Sequence, residues 1–156
     1  MANLFPAYIT VEKEPNTICR TLDESVFDYP FFNEGVSSIP SSRSCNLNTL
    51  QLRSEDNVLI FNTSHCGSTL LCRMLNQIQS VRVVSESEAI NGLLLSKKLY
   101  SLPDKPVKEQ LRRVIKAYQQ GTGSKDGLII KLSSWNVFFI DLFVQILPSV
   151  NWIFLD

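Results

Sequence analysis

Residues 58–75 read VLIFNTSHCGSTLLCRML. The stretch opens on four apolar residues, Val58 to Phe61, between polar neighbours, a length and β-branched content that suit a buried strand. A polar turn follows from Asn62 to Gly67, and then a helical pattern begins. Leu70, Leu71, Met74, Leu75 and Ile78 fall on one stripe, with Arg73, Asn76 and Gln77 on the other side. Strand, polar loop, helix is the arrangement in which backbone N–H groups and a helix N-terminus hold a phosphate. Gly67 lets the backbone approach a ligand, and Ser68 and Thr69 place two hydroxyls at the helix start.

The nucleotide P-loop, GxxxxGK[ST], is a partial match. Asn62 stands at its first glycine, Gly67 at its second and Thr69 at its hydroxyl, while Ser68 replaces the lysine. That lysine neutralises the terminal phosphates of a nucleoside triphosphate. The residues therefore point to a phosphate cradle for an anion with less terminal charge, and away from ATP or GTP hydrolysis. An ordinary strand-to-helix turn of small residues is the plainer alternative.

Downstream, strands and helices alternate. Val81 to Val84 reads as a second strand, and a helix follows from about Glu88 to Tyr100, capped by Ser85 or Ser87. Glu88 suits the positive end of that helix. Glu86 sits where a strand leaves the sheet, at the edge where parallel α/β sheets bind ligands. Pro103 to Pro106 breaks the chain and starts a helix over about 106–120. Its apolar stripe is Val107, Leu111, Val114, Ile115 and Tyr118. Its charged face carries Lys108, Arg112, Arg113 and Lys116, with Glu109 four residues before Arg113. Residues 121–127 read as a helix stop and a turn. Leu128 to Leu132 reads as a third strand with Lys131 near its exit, either snorkelling or supplying charge to a site. A helix over Asn136 to Leu147 ends at Pro148, and Asn151 to Leu155 makes a fourth strand. The alternation predicts an α/β fold, a mostly parallel sheet with flanking helices in a P-loop-like three-layer architecture.

Upstream, residues 1–57 read as an irregular N-terminal extension packing on the unit formed by residues 58–156. Prolines at 6, 15, 30 and 40 interrupt any long helix. Tyr8, Ile9 and Val11 suit a short edge strand. Phe27, Tyr29, Phe31 and Phe32 form an aromatic cluster, read as packing over the sheet rather than lining an acceptor pocket. Residues 35–48 read as loop, and Leu47 to Arg53 as a short helix.

Hydrophobic residues make up 44% of the 156 positions, enough for a core. Fifteen basic residues against fifteen acidic ones leave no basic field for nucleic acid. No stretch has the length of a membrane span, and the N-terminus lacks a secretory pattern. The four cysteines form no CxxC pair, and with one histidine in the chain a zinc site is not expected. Reduced thiols in a cytoplasmic protein are the expectation. Cys66, at a helix start, is either a nucleophile of lowered pKa or a small residue filling the loop.

SHCGSTLLCRML (residues 64–75) resembles the 5′-phosphosulfate-binding loop of P-loop sulfotransferases, above all bacterial sulfotransferase-like proteins whose loop reads S-R-C-G-S-T-L. The resemblance extends to VRVVSESEAINGLL (81–94), to LIIKLSSW (128–135) and, more weakly, to DYPFFNEGV (28–36). It implies transfer of a sulfuryl group from 3′-phosphoadenosine 5′-phosphosulfate to a hydroxyl or amine of a small-molecule or peptide acceptor, without metal. Ser64, His65, Cys66, Gly67, Ser68 and Thr69 would hold the 5′-phosphate. Glu86 would be the base on the acceptor, as a glutamate at the matching place is in that family. Lys131 matches a catalytic lysine of the related tyrosylprotein-type enzymes and, with His65, would steady the leaving oxygen.

The chain departs from the pattern twice. His65 replaces an Arg or Lys, and an imidazole donates fewer hydrogen bonds and is mostly neutral at pH 7. Family members also continue past the fourth strand with an Arg and a Ser for the 3′-phosphate. The chain accordingly looks like the N-terminal part of such a domain, inactive by itself. A non-catalytic phosphate-loop binding or scaffold protein is the second reading, and a small-molecule kinase a weaker third.

Overall fold

The computed structural model describes residues 4–21, 26, 29, 32–39, 43–44, 57–120 and 127–156. Two sheets organise them. The first is antiparallel, with β1 (Leu4–Ile9), β2 (Thr17–Thr21) and the two-residue β3 (Arg43–Ser44) in that order. The second is parallel and joins β4 (Asn57–Asn62), β5 (Val81–Ser85), β6 (Gly127–Lys131) and β7 (Asn151–Leu155) in the order β5-β6-β4-β7. Helices α1 (Phe32–Ser37), α2 (Ser68–Leu75), α3 (Glu88–Tyr100), α4 (Asp104–Gln120) and α5 (Ile140–Ile146) complete the described elements, with a 3-10 turn over Ser134–Phe139. The parallel sheet lies between helices, so the architecture is the expected three-layer α/β arrangement.

Side-chain alternation along the strands separates the two faces. Leu59, Phe61, Val84, Leu128 and Ile130 enter the large core with α3, α4, α5 and β1. Ile60, Val83 and Ile129 face the other way and meet Cys72 of α2, with Leu71, Leu75 and Leu155 packed around them. The stripe read on α4 is buried in full, and Glu109 pairs with Arg113 on its outer face. Ser87 caps α3, its hydroxyl accepting from Ile90 N–H at 3.3 Å.

Several expectations are corrected. On α2 the buried face is Ser68, Leu71, Cys72 and Leu75, while Leu70 and Met74 point to solvent at 63% and 62% exposure. Ile78 lies beyond the helix end. The span read as one helix from Asn136 begins as the 3-10 turn, because Asn136 Oδ1 accepts from Ser133 N–H (2.9 Å) and closes a tight start. Residues 1–57 are not irregular throughout. β1 and β2 form a hairpin closed by Thr10 and Asn16, with a bulge between Pro6 and Tyr8 that takes up the proline at a sheet edge. Gly35 belongs to α1 rather than a loop. Gly92 of α3 touches β1 so closely that a Cβ there would sit 2.2 Å from Ile9 O.

Of the aromatic cluster, Phe32 is buried edge-on against Tyr118, 5.7 Å between centroids. Tyr29 is exposed. Phe27, Phe31, the short helix at 47–53 and the turn at 121–126 lie outside the described residues. Cys19 is disulfide-bonded, against the expectation of reduced thiols. β2–β3 pairing sets Cys19 opposite Arg43, a proximity that no sequence spacing reveals. Among the described residues no helix is long and apolar enough to cross a membrane.

Strand order places the site. From β4 the chain moves to β5 on one side of the sheet, and from β6 it crosses β4 to reach β7 on the other. The exit of β4 is thus a point where connections diverge, which leaves a crevice at the strand's C-terminal end.

Candidate functional site

That crevice is a cavity of about 510 Å³, lined by loop residues 64–69 together with Asn62, Glu86, Lys131 and residues 133–135. All the site residues expected from the sequence meet here. Backbone bonds between neighbouring strand exits fix the rim: Leu132 N–H to Ile60 O (2.9 Å), Glu86 N–H to Lys131 O (2.8 Å) and Thr63 N–H to Leu155 O (2.8 Å).

The loop bends through two left-handed residues, His65 (φ 65°) and Gly67 (φ 79°). A left-handed residue followed by a helical one turns successive N–H groups toward the same concavity, a geometry suited to anions. The first backbone bond of α2 runs from Leu71 N–H to Gly67 O at 3.1 Å. The N–H groups of Ser68, Thr69 and Leu70 precede it and have no helical carbonyl of their own. No atom lies within 4 Å of where a Gly67 side chain would stand, so the cradle is open at that point.

Asn62 has a role that sequence reading missed. It is 5% exposed; its Nδ2 donates to Leu132 O (2.6 Å) and its Oδ1 accepts from Ser68 Oγ (3.3 Å). One side chain thus ties the exits of β4 and β6 to the first residue of α2. The available signal was a polar residue ending an apolar strand, which needs a partner once buried. The Ser68 hydroxyl is shared between Asn62 and the neighbouring Cys66 thiol.

Lys131 is 2% exposed and forms an ion pair with Glu86, whose side chain is 31% exposed. Register explains the meeting, since Ser85 pairs with Lys131 across β5 and β6. Glu86 adopts a left-handed backbone (φ 53°), and its carboxylate meets the Lys131 ammonium. The lysine therefore does not snorkel to solvent; its charge is held at the cavity wall by a carboxylate.

Burial acts to raise the Cys66 thiol, but hydrogen bonds from the Ser68 hydroxyl and from the Ser68 and Cys66 N–H groups, aided by the charge of Lys131, bring its pKa below the ordinary thiol value. Cys72, one helix face away, is pushed by burial up to about 11, against the opposing charge of Lys131. Both are free. Tyr118, fully buried, has its phenol held far above its ordinary range by burial. Its hydroxyl donates to Pro6 O at 3.0 Å and meets the Ser87 hydroxyl, linking β1 to the residue beside Glu86. Among the described residues no cluster of His, Cys, Asp and Glu could hold a metal ion.

No protein-family model matches this chain, and neither a curated protein nor a solved structure does.

Proposed function

We propose that this chain is a sulfotransferase-like protein that takes 3′-phosphoadenosine 5′-phosphosulfate as donor and passes its sulfuryl group to a hydroxyl or amine of a small-molecule or peptide acceptor. One observation carries the reading: a buried lysine, ion-paired with a partly exposed carboxylate, shares a cavity with a loop whose geometry suits an anion. The cavity volume is within the range of small-molecule sites. The loop's missing lysine favours a donor whose 5′-phosphate is held by amides over a nucleoside triphosphate.

Loop residues 64–69 hold the 5′-phosphate and fix the donor for in-line attack. An acceptor lone pair forms the new bond to sulfur as the bond from sulfur to the phosphate oxygen breaks, and that oxygen keeps the electron pair. Glu86 receives the acceptor's proton. Lys131 stabilises charge on the leaving oxygen, and His65 is placed to add to it when protonated. Among the described residues the cavity wall carries no arginine. A non-catalytic phosphate-binding role is the second reading, because His65 stands where a permanent cation would serve chemistry.

Calorimetry with 3′-phosphoadenosine 5′-phosphate and with ATP tests the reading. Binding of the first alone supports it, and binding of ATP alone supports a kinase. Binding of neither by a folded chain leaves the scaffold reading.

A further inference from the structure

Ser133 is the second residue past Lys131, 7% exposed, and it forms part of the cavity wall. Its backbone is pinned on both sides: its N–H donates to Asn136 Oδ1 (2.9 Å) and its carbonyl accepts from Asn136 N–H (2.8 Å). Its hydroxyl oxygen accepts from Asn91 Nδ2 at 2.9 Å. A serine hydroxyl has one proton to donate and two lone pairs. Asn91 occupies a lone pair and leaves the proton, which has no acceptor among the described residues, on a residue that lines the cavity. The neighbouring polar groups are engaged elsewhere: Ser134 Oγ meets Ser64 Oγ at 3.3 Å, Ser68 Oγ meets Asn62, and Lys131 meets Glu86. Ser133 is therefore a fixed hydroxyl donor in the cavity wall, beside a lysine and a serine whose side chains already meet Glu86 and Ser64.

We propose that Ser133 donates this hydrogen bond to an oxygen of the transferred sulfuryl group, with Asn91 as the residue that orients it. The assignment rests on the sulfotransferase reading above. Loop amides take the 5′-phosphate, and the acceptor must come within reach of Glu86 to lose its proton. The sulfuryl group then lies between loop and carboxylate, on the side where Ser133 follows Lys131. A fixed hydroxyl there holds one sulfuryl oxygen, so that the sulfur stays aligned for in-line attack as the bond to phosphate breaks.

The test compares two ligands on one chain. Affinities of 3′-phosphoadenosine 5′-phosphosulfate and 3′-phosphoadenosine 5′-phosphate are measured by calorimetry for wild type, Ser133→Ala and Ser133→Thr. A charge-assisted hydrogen bond lost with its donor is worth roughly tenfold or more in affinity. Ser133→Ala should weaken the phosphosulfate by about tenfold and the bisphosphate by less than about twofold, and Ser133→Thr should restore the difference. Ser133→Cys, close in volume but a weak donor, gives the same comparison if the alanine variant does not fold. Equal loss for both ligands, or no loss for either, overturns the assignment while leaving the functional reading in place. Failure of the wild type to bind either nucleotide overturns the functional reading and the Ser133 assignment together.

Discussion

The Glu86–Lys131 pair makes an asymmetric prediction about stability. Lys131 is 2% exposed and Glu86 31%. Glu86→Ala leaves an ammonium where water hardly reaches. The expected cost is about 3 kcal/mol, the lower end of the range for orphaning a buried charge, because the space left by the carboxylate admits some water. Lys131→Met leaves instead a carboxylate with about a third of its surface already in water, and the methionine fills the lysine stem. The expected cost is under about 1 kcal/mol, near that of a surface pair. The double variant should resemble Lys131→Met alone, giving a coupling of about 3 kcal/mol, the upper end of the range for residues in contact. Urea unfolding followed by far-UV circular dichroism reads all four proteins. For a slope of ~2 kcal/mol/M, Glu86→Ala should lower the midpoint by roughly 1.5 M and Lys131→Met by under roughly 0.5 M. If Lys131→Met proved as costly as Glu86→Ala, the carboxylate would be the sequestered charge and the reasoning from exposure would be refuted.

Tyr118→Phe keeps the ring contacts with Phe5 and Phe32 but leaves Pro6 O and the Ser87 hydroxyl short of a partner. It should cost about 1–3 kcal/mol in the same unfolding assay, and a cost near zero would mean that water replaces the hydroxyl. Iodoacetamide near neutral pH should alkylate Cys66 well before Cys72, since the first thiol is lowered and the second sits at about 11. Lys131→Met should move the Cys66 reactivity profile to higher pH, because the ammonium favours the thiolate; mass spectrometry showing equal labelling of both thiols would contradict this. β7 exposes Trp152, Ile153 and Phe154 on the sheet edge. Ile153→Lys should reduce concentration-dependent light scattering while changing stability by less than about 0.5 kcal/mol. Unchanged scattering would remove the edge as the route of association.

Long periodic segments were legible in the sequence and short or compensated ones were not. The 17-residue α4 displays its stripe over about three turns, and every stripe residue is buried. In the eight-residue α2 the buried face holds Ser68 and Cys72, which hydropathy ranks below the exposed Leu70 and Met74. Sheet register and loop contacts outvote hydrophobicity over so short a span. Pro6 reads as a breaker, yet it lies in an edge strand beside a bulge, where a missing N–H is tolerated. Within the site, Glu86 and Lys131 were each visible as polar residues at strand exits. Their pairing was not, because it depends on the register of β5 against β6. Asn62 and Ser133 act through partners 70 and 42 residues away, a separation that local pattern does not encode.

The cavity's charge arrangement bears on how a base and a cation can coexist there. In the structure Lys131 and Glu86 neutralise each other, which removes the cost of holding either charge alone in a partly dry wall. Under the proposed reaction, a phosphosulfate in the loop gives Lys131 a second anionic partner. The ammonium has three donors, so it can turn one toward the ligand and weaken its hold on the carboxylate. Glu86, with part of its surface open to the cavity, is then freer to take a hydrogen bond from an acceptor. The ion pair thus keeps both groups charged before the donor arrives, and the donor's own charge redistributes them into cation and base. Amides and the Ser133 hydroxyl add no net charge to this balance. A chain with one histidine in the loop and no arginine in the described cavity wall therefore depends on Lys131 for its one fixed positive charge. Loss of Lys131 should reduce ligand affinity far more than it reduces stability.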